Sequence, residues 1–316
     1  MHCAEDGRAG IDAALVGRLI AAQFPQWQHL PIRPVPLDGW DNRTYRLGDE
    51  LSVRLPTHAM YVAAVAKEDR WLPVLAPQLP VPIPVPVATG RPGEGYPFAW
   101  SVRRWLDGEP AGCGEVADLA AFAIEVAEFI LALQRIDPAG GPPAGAHSFH
   151  RGGSLRHYDD ETHQALATLA AQPAAGGIDV VGAGEVWQAA LAAHWHGRPS
   201  WFHGDVAVGN LLVRNGKLAA VIDFGTSGVG DPACDLVIAW TLFTGAGREA
   251  FRARVGQQPG SWARARGWAL WKALICLAND LDVDRPAIAN NRRIVADLIA
   301  EHRAMSPSGN RTQDEH

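Results

Sequence analysis

The stretch WFHGDVAVGNLLVRNGKLAAVIDFG, residues 201–225, most narrows what this chain can fold into. Asn215-Gly216 is a strong signal for a tight two-residue turn, because both residue types accept positive φ. The apolar runs at 211–213 and 218–222 flank that turn, so they pair as an antiparallel hairpin. Asp205 and Asn210 precede the first run, and Asp223 ends the second. Folding the chain back at the turn therefore gathers three polar side chains in one small volume at the hairpin's open end.

Two carboxylates and a carboxamide oxygen are costly to crowd together unless a proton or a cation offsets their repulsion. An all-oxygen set suits a hard divalent ion that keeps several waters and also grips phosphate, which makes magnesium the natural candidate. A turn in which Asp205 and Asn210 cap backbone amides would use the same letters. Asp223 in register with them favours a shared site.

The rest of the chain divides into two patterns, and 316 residues suffice for about two lobes. Ile11, Leu15, Leu19 and Ala22, with Val16 and Ile20 beside them, predict an opening helix that ends near Phe24-Pro25. Residues 44–47 and 51–55, separated by Gly48-Asp49-Glu50, predict a hairpin, and a helix fits 60–71. In LPVPIPVPVATG the prolines fix φ and remove amide donors, so this segment is extended or lies at a sheet edge. Residues 98–106, which include Arg103-Arg104, read as a last strand leading into a hinge at Asp107-Gly108.

From about Glu115 the period becomes helical. Helices are predicted at 116–136, 159–171, 185–195, 232–243, 262–278 and 285–303, with breaks at 138–146 and 172–184. The expected fold is α+β and bilobal, a small antiparallel-sheet lobe followed by a larger, mostly helical one. Its expected limits are 1–107 for the first lobe, 108–303 for the second and 304–316 for a polar tail.

Hydrophobic residues at 47% and charged residues at 20% describe a soluble globular chain rather than a fibrous or disordered one. A net charge of -6 gives no basic footprint, so a nucleic-acid partner is not expected. Cys3, Cys113, Cys234 and Cys276 show no CxxC pair and no neighbouring histidine pattern, which reads as reduced thiols rather than a zinc site or a disulfide framework. Neither a leader-like start nor a bilayer-spanning apolar run occurs in the letters, so no membrane association and a cytoplasmic location are expected. Nothing in the sequence fixes the oligomeric state.

The order D-x-x-x-x-N followed by D-F-G is that of the catalytic loop and metal-binding motif of protein kinases. Here His203-Gly204-Asp205 stands in place of H-R-D, and IDFG and DPACDL follow at close spacing. The chain thereby resembles the aminoglycoside phosphotransferase family, the small-molecule branch of the protein-kinase-like fold, to which macrolide phosphotransferases are related. GWDNRTYRL, LSVRLP, KEDRWLPVL and SVRRWLDGEP extend the resemblance over residues 10–300.

The resemblance implies that Asp205 positions the acceptor hydroxyl and takes its proton, while Asn210 and Asp223 hold magnesium against the phosphates of ATP or GTP. His203 supports the loop rather than reacting, and Asp231 and Asp235 are structural. The phosphate-covering turn falls on DGWDNRTYRL, where Gly39 and Asn42 approach the phosphates, although the turn has one glycine rather than three. Arg54 replaces the lysine of protein kinases as the phosphate-gripping cation, with Glu68 as the partner that aims it. The backbone near Arg104 and Leu106 pairs with the base. GTSGVG, residues 225–230, has the wrong glycine order for a dinucleotide loop.

These residues predict a kinase that moves the γ-phosphoryl group of a nucleoside triphosphate to a hydroxyl-bearing small molecule. The acceptor is an aminoglycoside, a macrolide or a metabolite. Carboxylates in YDDE (158–161) and NDLDVD (279–284) would suit an aminoglycoside, whereas Trp240, Trp268 and Trp271 would suit an apolar or sugar-stacking pocket. A second class is a non-catalytic nucleotide-binding or regulatory protein, favoured by the thin glycine loop and Arg54 and opposed by the intact Asp205, Asn210 and Asp223 set.

Overall fold

The computed structural model describes residues 10–36, 39, 41–171, 177–280 and 285–305. Cys3, most of the acidic run ending at Asp284, and the tail from residue 306 lie outside them. The chain opens with α1 (Ala13–Gln23), started by Asp12, whose carboxylate accepts from the Leu15 amide at 2.7 Å. Its Leu15, Val16, Leu19 and Ile20 face is buried, as their spacing predicts.

Next come β1 (Ile32–Pro34), β2 (Asn42–Leu47), β3 (Leu51–Pro56), α2 (Ala59–Leu75), β4 (Pro86–Gly90) and β5 (Trp100–Arg104). The five strands form one antiparallel sheet in the order β1-β2-β3-β5-β4. The proline-rich run enters β4 at the sheet edge, where a missing amide breaks no ladder on the open side. Residues directly opposite share a face, so the pairings Arg54↔Ser101 and Ser52↔Arg103 put these four on one side of the sheet.

The second half contains β6 (Glu109–Pro110), α3 (Leu119–Arg135), α4 (Asp159–Ala170), α5 (Val180–Ala192), β7 (Ser200–Phe202), β8 (Leu211–Arg214), β9 (Lys217–Val221) and β10 (Gly228–Gly230). It closes with α6 (Ile238–Thr241), α7 (Gly245–Val255), α8 (Pro259–Asn279) and α9 (Pro286–Met305). β6-β8-β9 and β7-β10 are two small antiparallel ladders set among the helices.

Three helical expectations need correction. Helix α5 begins inside the break expected at 172–184, because Asp179 caps it, accepting from the Gly182 amide at 2.8 Å and pairing with Arg303 at 2.7 Å. Helix α7 was not predicted; its first turn carries two glycines and it buries only Gly247, Phe251 and Val255. The segment 232–243 splits into a 3₁₀ turn (Pro232–Val237) and the short α6.

Hydrophobic residues separate into two cores. The smaller lies under the first sheet and includes Leu19, Tyr45, Val53 and Trp100. The larger fills the helical half, where Trp187, Trp201 and Trp240 are fully buried. Trp268 and Trp271 are buried there as well. Leu72 and Leu75, at the end of α2, belong to this larger core, so packing does not divide where the chain was expected to, at residue 107. Cys113, Cys234 and Cys276 are free thiols. Among the described residues no helix is long and apolar enough to cross a membrane.

Candidate active site

Asn215 and Gly216 sit at φ 55° and 75°, the two positive values that a tight hairpin turn with right-handed strand twist requires. The strands they join, β8 and β9, run back to an open end at Leu211↔Val221. Just beyond it, the Ile222 amide donates to the Asn210 carbonyl at 2.9 Å. Asn210 in turn donates through Nδ2 to the Asp205 carbonyl at 2.9 Å and to Asp205 Oδ2 at 3.0 Å. The structure therefore brings Asp205, Asn210 and Asp223 together at the hairpin end.

The loop bearing Asp205 is held from beneath. Fully buried Asp235 accepts from the His203 amide at 2.8 Å and the Gly204 amide at 2.7 Å. The His203 ring accepts from the Asp205 amide at Nδ1 and donates from Nε2 to the Ile222 carbonyl at 3.0 Å, so both nitrogens are occupied in fixing the loop. Gly204 lies at φ 84°, and a Cβ there would stand 2.8 Å from the Thr226 carbonyl oxygen, so no side chain fits. Asp231 caps the turn at Pro232 and forms a two-pronged ion pair with Arg264, Nε to Oδ2 at 2.5 Å and Nη2 to Oδ1 at 3.2 Å.

Asp223 adopts a left-handed backbone, φ 67° and ψ 68°, a conformation that non-glycine residues hold only under constraint. Arg54 reaches it from β3, Nη2 to Oδ1 at 3.1 Å. Burial opposes the charge on Asp223, but Arg54 first, with His203 and Arg103, outweighs it and holds the carboxyl below the usual carboxylate range.

Glu68 is shared between two arginines rather than reserved for Arg54. Its carboxylate is taken by Arg103, Nη2 to Oε2 at 2.6 Å and Nη1 to Oε1 at 3.2 Å, while Arg54 Nη1 stays 3.9 Å away. Glu68 is 4% exposed and Arg103 1%, so this is a buried, bidentate pair. Burial pushes the Glu68 carboxyl up, and Arg103 first, then Arg54, bring it below its ordinary value. Strand alternation could have separated Arg103 from Arg104, because only Arg103 shares the face of Arg54.

A third carboxylate escaped the sequence reading. Asp41 stands next to Asn42 and interacts with Tyr61, Asp223 and Asp205. Burial first, and then the Asp223 charge, raise its carboxyl to about 6. Its signal was present in GWDNRTYRL, but the letters do not say that this loop folds over the hairpin end. Lys67, adjacent to Glu68 on α2, was also missed.

The other residues expected on the nucleotide side are located by the sheet and the junction that follows it. Asn42 opens β2 opposite Pro56, two residues before Thr44, which pairs with Arg54. Gly39 is exposed, and its neighbours Leu37, Asp38 and Trp40 lie outside the described residues. Arg104 ends β5 opposite Leu51, and Leu106 follows at the junction with β6, where the Trp105 amide donates to the Glu50 carbonyl at 2.7 Å. On the helical side, two of the expected acidic residues are engaged, while Asp160 is exposed and Asp282 and Asp284 lie outside the described residues. Asp159 accepts from the Trp187 indole at 2.7 Å, and Glu161 from the Trp271 indole at 2.7 Å.

The donor set fits a magnesium ion shared with phosphates. The Asp223 carboxylate and the Asn210 carboxamide oxygen are hard oxygen donors, and Arg54 already places a cation on Asp223. Among the described residues no group of three or more His, Cys, Asp or Glu could hold a metal ion alone. A partial shell of this kind matches magnesium, which takes one or two protein ligands and completes its sphere with water and phosphate oxygens.

Residues 32–270 match the family model described as "Phosphotransferase enzyme family". Solved structures with a similar fold include the GDP and kanamycin complex of APH(2″)-IIIa, at 17% identity over 90% of this chain and 98% of that one, TM-score 0.64. They also include the apoenzyme of macrolide 2′-phosphotransferase MphH from Brachybacterium faecium, at 22% identity over 95% and 100%, TM-score 0.57. A third is a thermostable mutant of APH(4)-Ia with AMP-PNP and hygromycin B, at 18% identity over 91% and 98%, TM-score 0.60. A search of curated protein sequences finds no match.

Proposed function

Because the chain belongs to the phosphotransferase enzyme family, we propose that it moves the γ-phosphoryl group of ATP or GTP to a hydroxyl of a small molecule. The observation that carries this reading is the convergence of Asp205, Asn210 and Asp223 at one hairpin end, faced by Arg54 from the other lobe. Nucleotides in related folds, GDP and AMP-PNP, support the choice of donor.

Asp205 orients the acceptor hydroxyl and accepts its proton; its carboxylate is exposed to the cleft and steadied by Asn210 Nδ2 at 3.0 Å. Asn210 and Asp223 would hold magnesium, which when bound supplies charge neutralisation between the phosphates. Arg54 leaves Asp223 and grips phosphate oxygens as a planar, permanently charged fork. Gly39, Asn42 and the Arg104 and Leu106 backbone complete the nucleotide side. The γ-phosphoryl passes in line from its leaving oxygen to the acceptor oxygen, with positioning and electrostatics supplying most of the acceleration. The cytoplasm, with its nucleoside triphosphates, is the compartment this reaction suits.

The engaged carboxylates Asp159 and Glu161 favour an acceptor of low positive charge, a macrolide rather than a polycationic aminoglycoside. The reading is tested by incubating the protein with magnesium, ATP or GTP, and a panel of macrolides, aminoglycosides and amino sugars, followed by phosphorus NMR of any product. Bound nucleotide with no transfer to any acceptor would favour a nucleotide-binding regulatory protein instead.

A further inference from the structure

Helix α2 is fastened to both halves of the molecule by consecutive residues. Glu68 turns to the sheet and its bidentate bond with Arg103. Lys67 turns the other way, to the segment that follows Asp223. Its Nζ lies 2.6 Å from the Gly225 carbonyl oxygen, 2.9 Å from that of Ser227, 3.2 Å from His147 Nδ1 and 3.3 Å from the His147 carbonyl oxygen. An ammonium has three donors, and these acceptors engage all of them. His147 Nε2 donates to the Pro143 carbonyl at 2.8 Å, which leaves Nδ1 as the acceptor for Lys67.

Gly225 is two residues beyond Asp223 and belongs to the single 3₁₀ turn Phe224–Thr226, closed by the Ser227 amide on the Phe224 carbonyl at 2.9 Å. Ser227 Oγ also donates to the Phe224 carbonyl at 2.7 Å and Thr226 Oγ1 to the His203 carbonyl at 3.0 Å, and neither of these bonds ties the turn to α2. Lys67 binds a carbonyl within this turn and another just after it, where the dipoles of the turn leave partial negative charge. At the other end of α2, Leu72 and Leu75 pack in the larger core, and Trp71 meets Trp201 edge-on at 5.0 Å. The helix is thus seated against the helical half by packing, while Lys67 gives it a polar connection to the segment just after Asp223.

We infer that Lys67 is a positioning residue for phosphoryl transfer: it ties helix α2 to the Phe224–Thr226 turn and so holds Asp223 in the backbone conformation that presents its carboxylate to metal and phosphate. This role rests on the proposed reading of Asp223, while the tether itself is independent of it.

The test replaces Lys67 with Met, which keeps the stem and removes the donors, and with Arg, which restores donors. Calorimetry with a non-hydrolysable ATP analogue, with and without magnesium, reads the effect on the site. Hydrogen exchange of the peptide spanning 222–228 reads the turn. K67M is expected to need at least tenfold more magnesium for the same nucleotide affinity, with metal-free nucleotide binding unchanged. Its 224–227 amides should exchange at least tenfold faster, and K67R should recover most of both losses. Should K67M not fold, K67Q, which retains one amide donor group, is expected to show smaller shifts in the same directions. Wild-type magnesium dependence and wild-type exchange in a folded K67M or K67Q would overturn the proposal. If the unsubstituted protein binds no magnesium nucleotide, the phosphotransfer reading fails, and the exchange experiment still decides whether Lys67 holds the turn.

Discussion

Arg54 and Asp223, 169 residues apart in sequence, meet across the cleft with Nη2 3.1 Å from Oδ1. Glu68, the carboxylate expected to aim Arg54, stands in an ion pair with it at 3.9 Å and gives its hydrogen bonds to Arg103. Arg54 therefore rests on the residue assigned to hold magnesium, and it is free to turn to phosphate without breaking the pair that anchors α2. A charge-assisted hydrogen bond contributes about 1.5–3 kcal/mol. Arg54→Met is accordingly expected to weaken nucleotide binding by about 10- to 100-fold, and Arg54→Lys by less, because lysine keeps the charge but loses the fork. Calorimetric titration of the two variants with magnesium nucleotide checks this.

Asp205→Asn keeps the shape of the loop and removes the proton acceptor. Turnover is expected to fall by about 10² to 10⁴, the usual worth of general-base assistance, with nucleotide affinity unchanged. Full activity in this variant would remove Asp205 from its assigned role.

Glu68 and Arg103 form a buried pair, and removing one partner strands the other charge. Either Glu68→Gln or Arg103→Met should destabilise the fold by about 3–5 kcal/mol in urea denaturation. The double substitution should recover part of that loss. Additive losses would mean that the two groups act separately.

Asp41 makes stability depend on pH in a definite direction. Its folded carboxyl, raised to about 6 by burial and by Asp223, binds a proton more tightly than the unfolded chain, whose value is near 3.8. Between about pH 4 and pH 6 the folded state takes up the extra proton, so this group's contribution to stability is highest below that window and declines as pH rises through it. Asp41→Asn should therefore raise the melting temperature more at pH 7.5 than at pH 5, measured without metal or nucleotide. An equal rise at both values would contradict the assignment.

The proposed acceptor class rests on two engaged carboxylates. With Asp159 and Glu161 bonded to the Trp187 and Trp271 indoles, kcat/KM for a macrolide is expected to exceed that for kanamycin by at least tenfold. The reverse order would assign the acceptor to the polycationic class while leaving the transfer reaction in place.

Local sequence determined a good deal of this protein. The Asn215-Gly216 turn and the flanking apolar runs dictate the hairpin, and folding back at that turn brings Asp205, Asn210 and Asp223 to one end, although a bulge between Leu212 and Val213, not legible in the letters, shifts the register there by one residue. Helices with a clear apolar stripe, such as α1 and α3, were legible for the same reason. Helices α5 and α7 were not, since their glycines and small residues weaken the periodic signal that packing and caps replace. Tertiary structure alone decided which charges pair. Arg103 takes the hydrogen bonds of Glu68 and leaves Arg54 the longer ion pair, Asp41 joins the site, and Lys67 spans to the Asp223 turn, because these contacts depend on how α2, the sheet and the hairpin end stack in space. Pair energies are set by distance and burial, and neither is written in the spacing of residues so far apart along the chain.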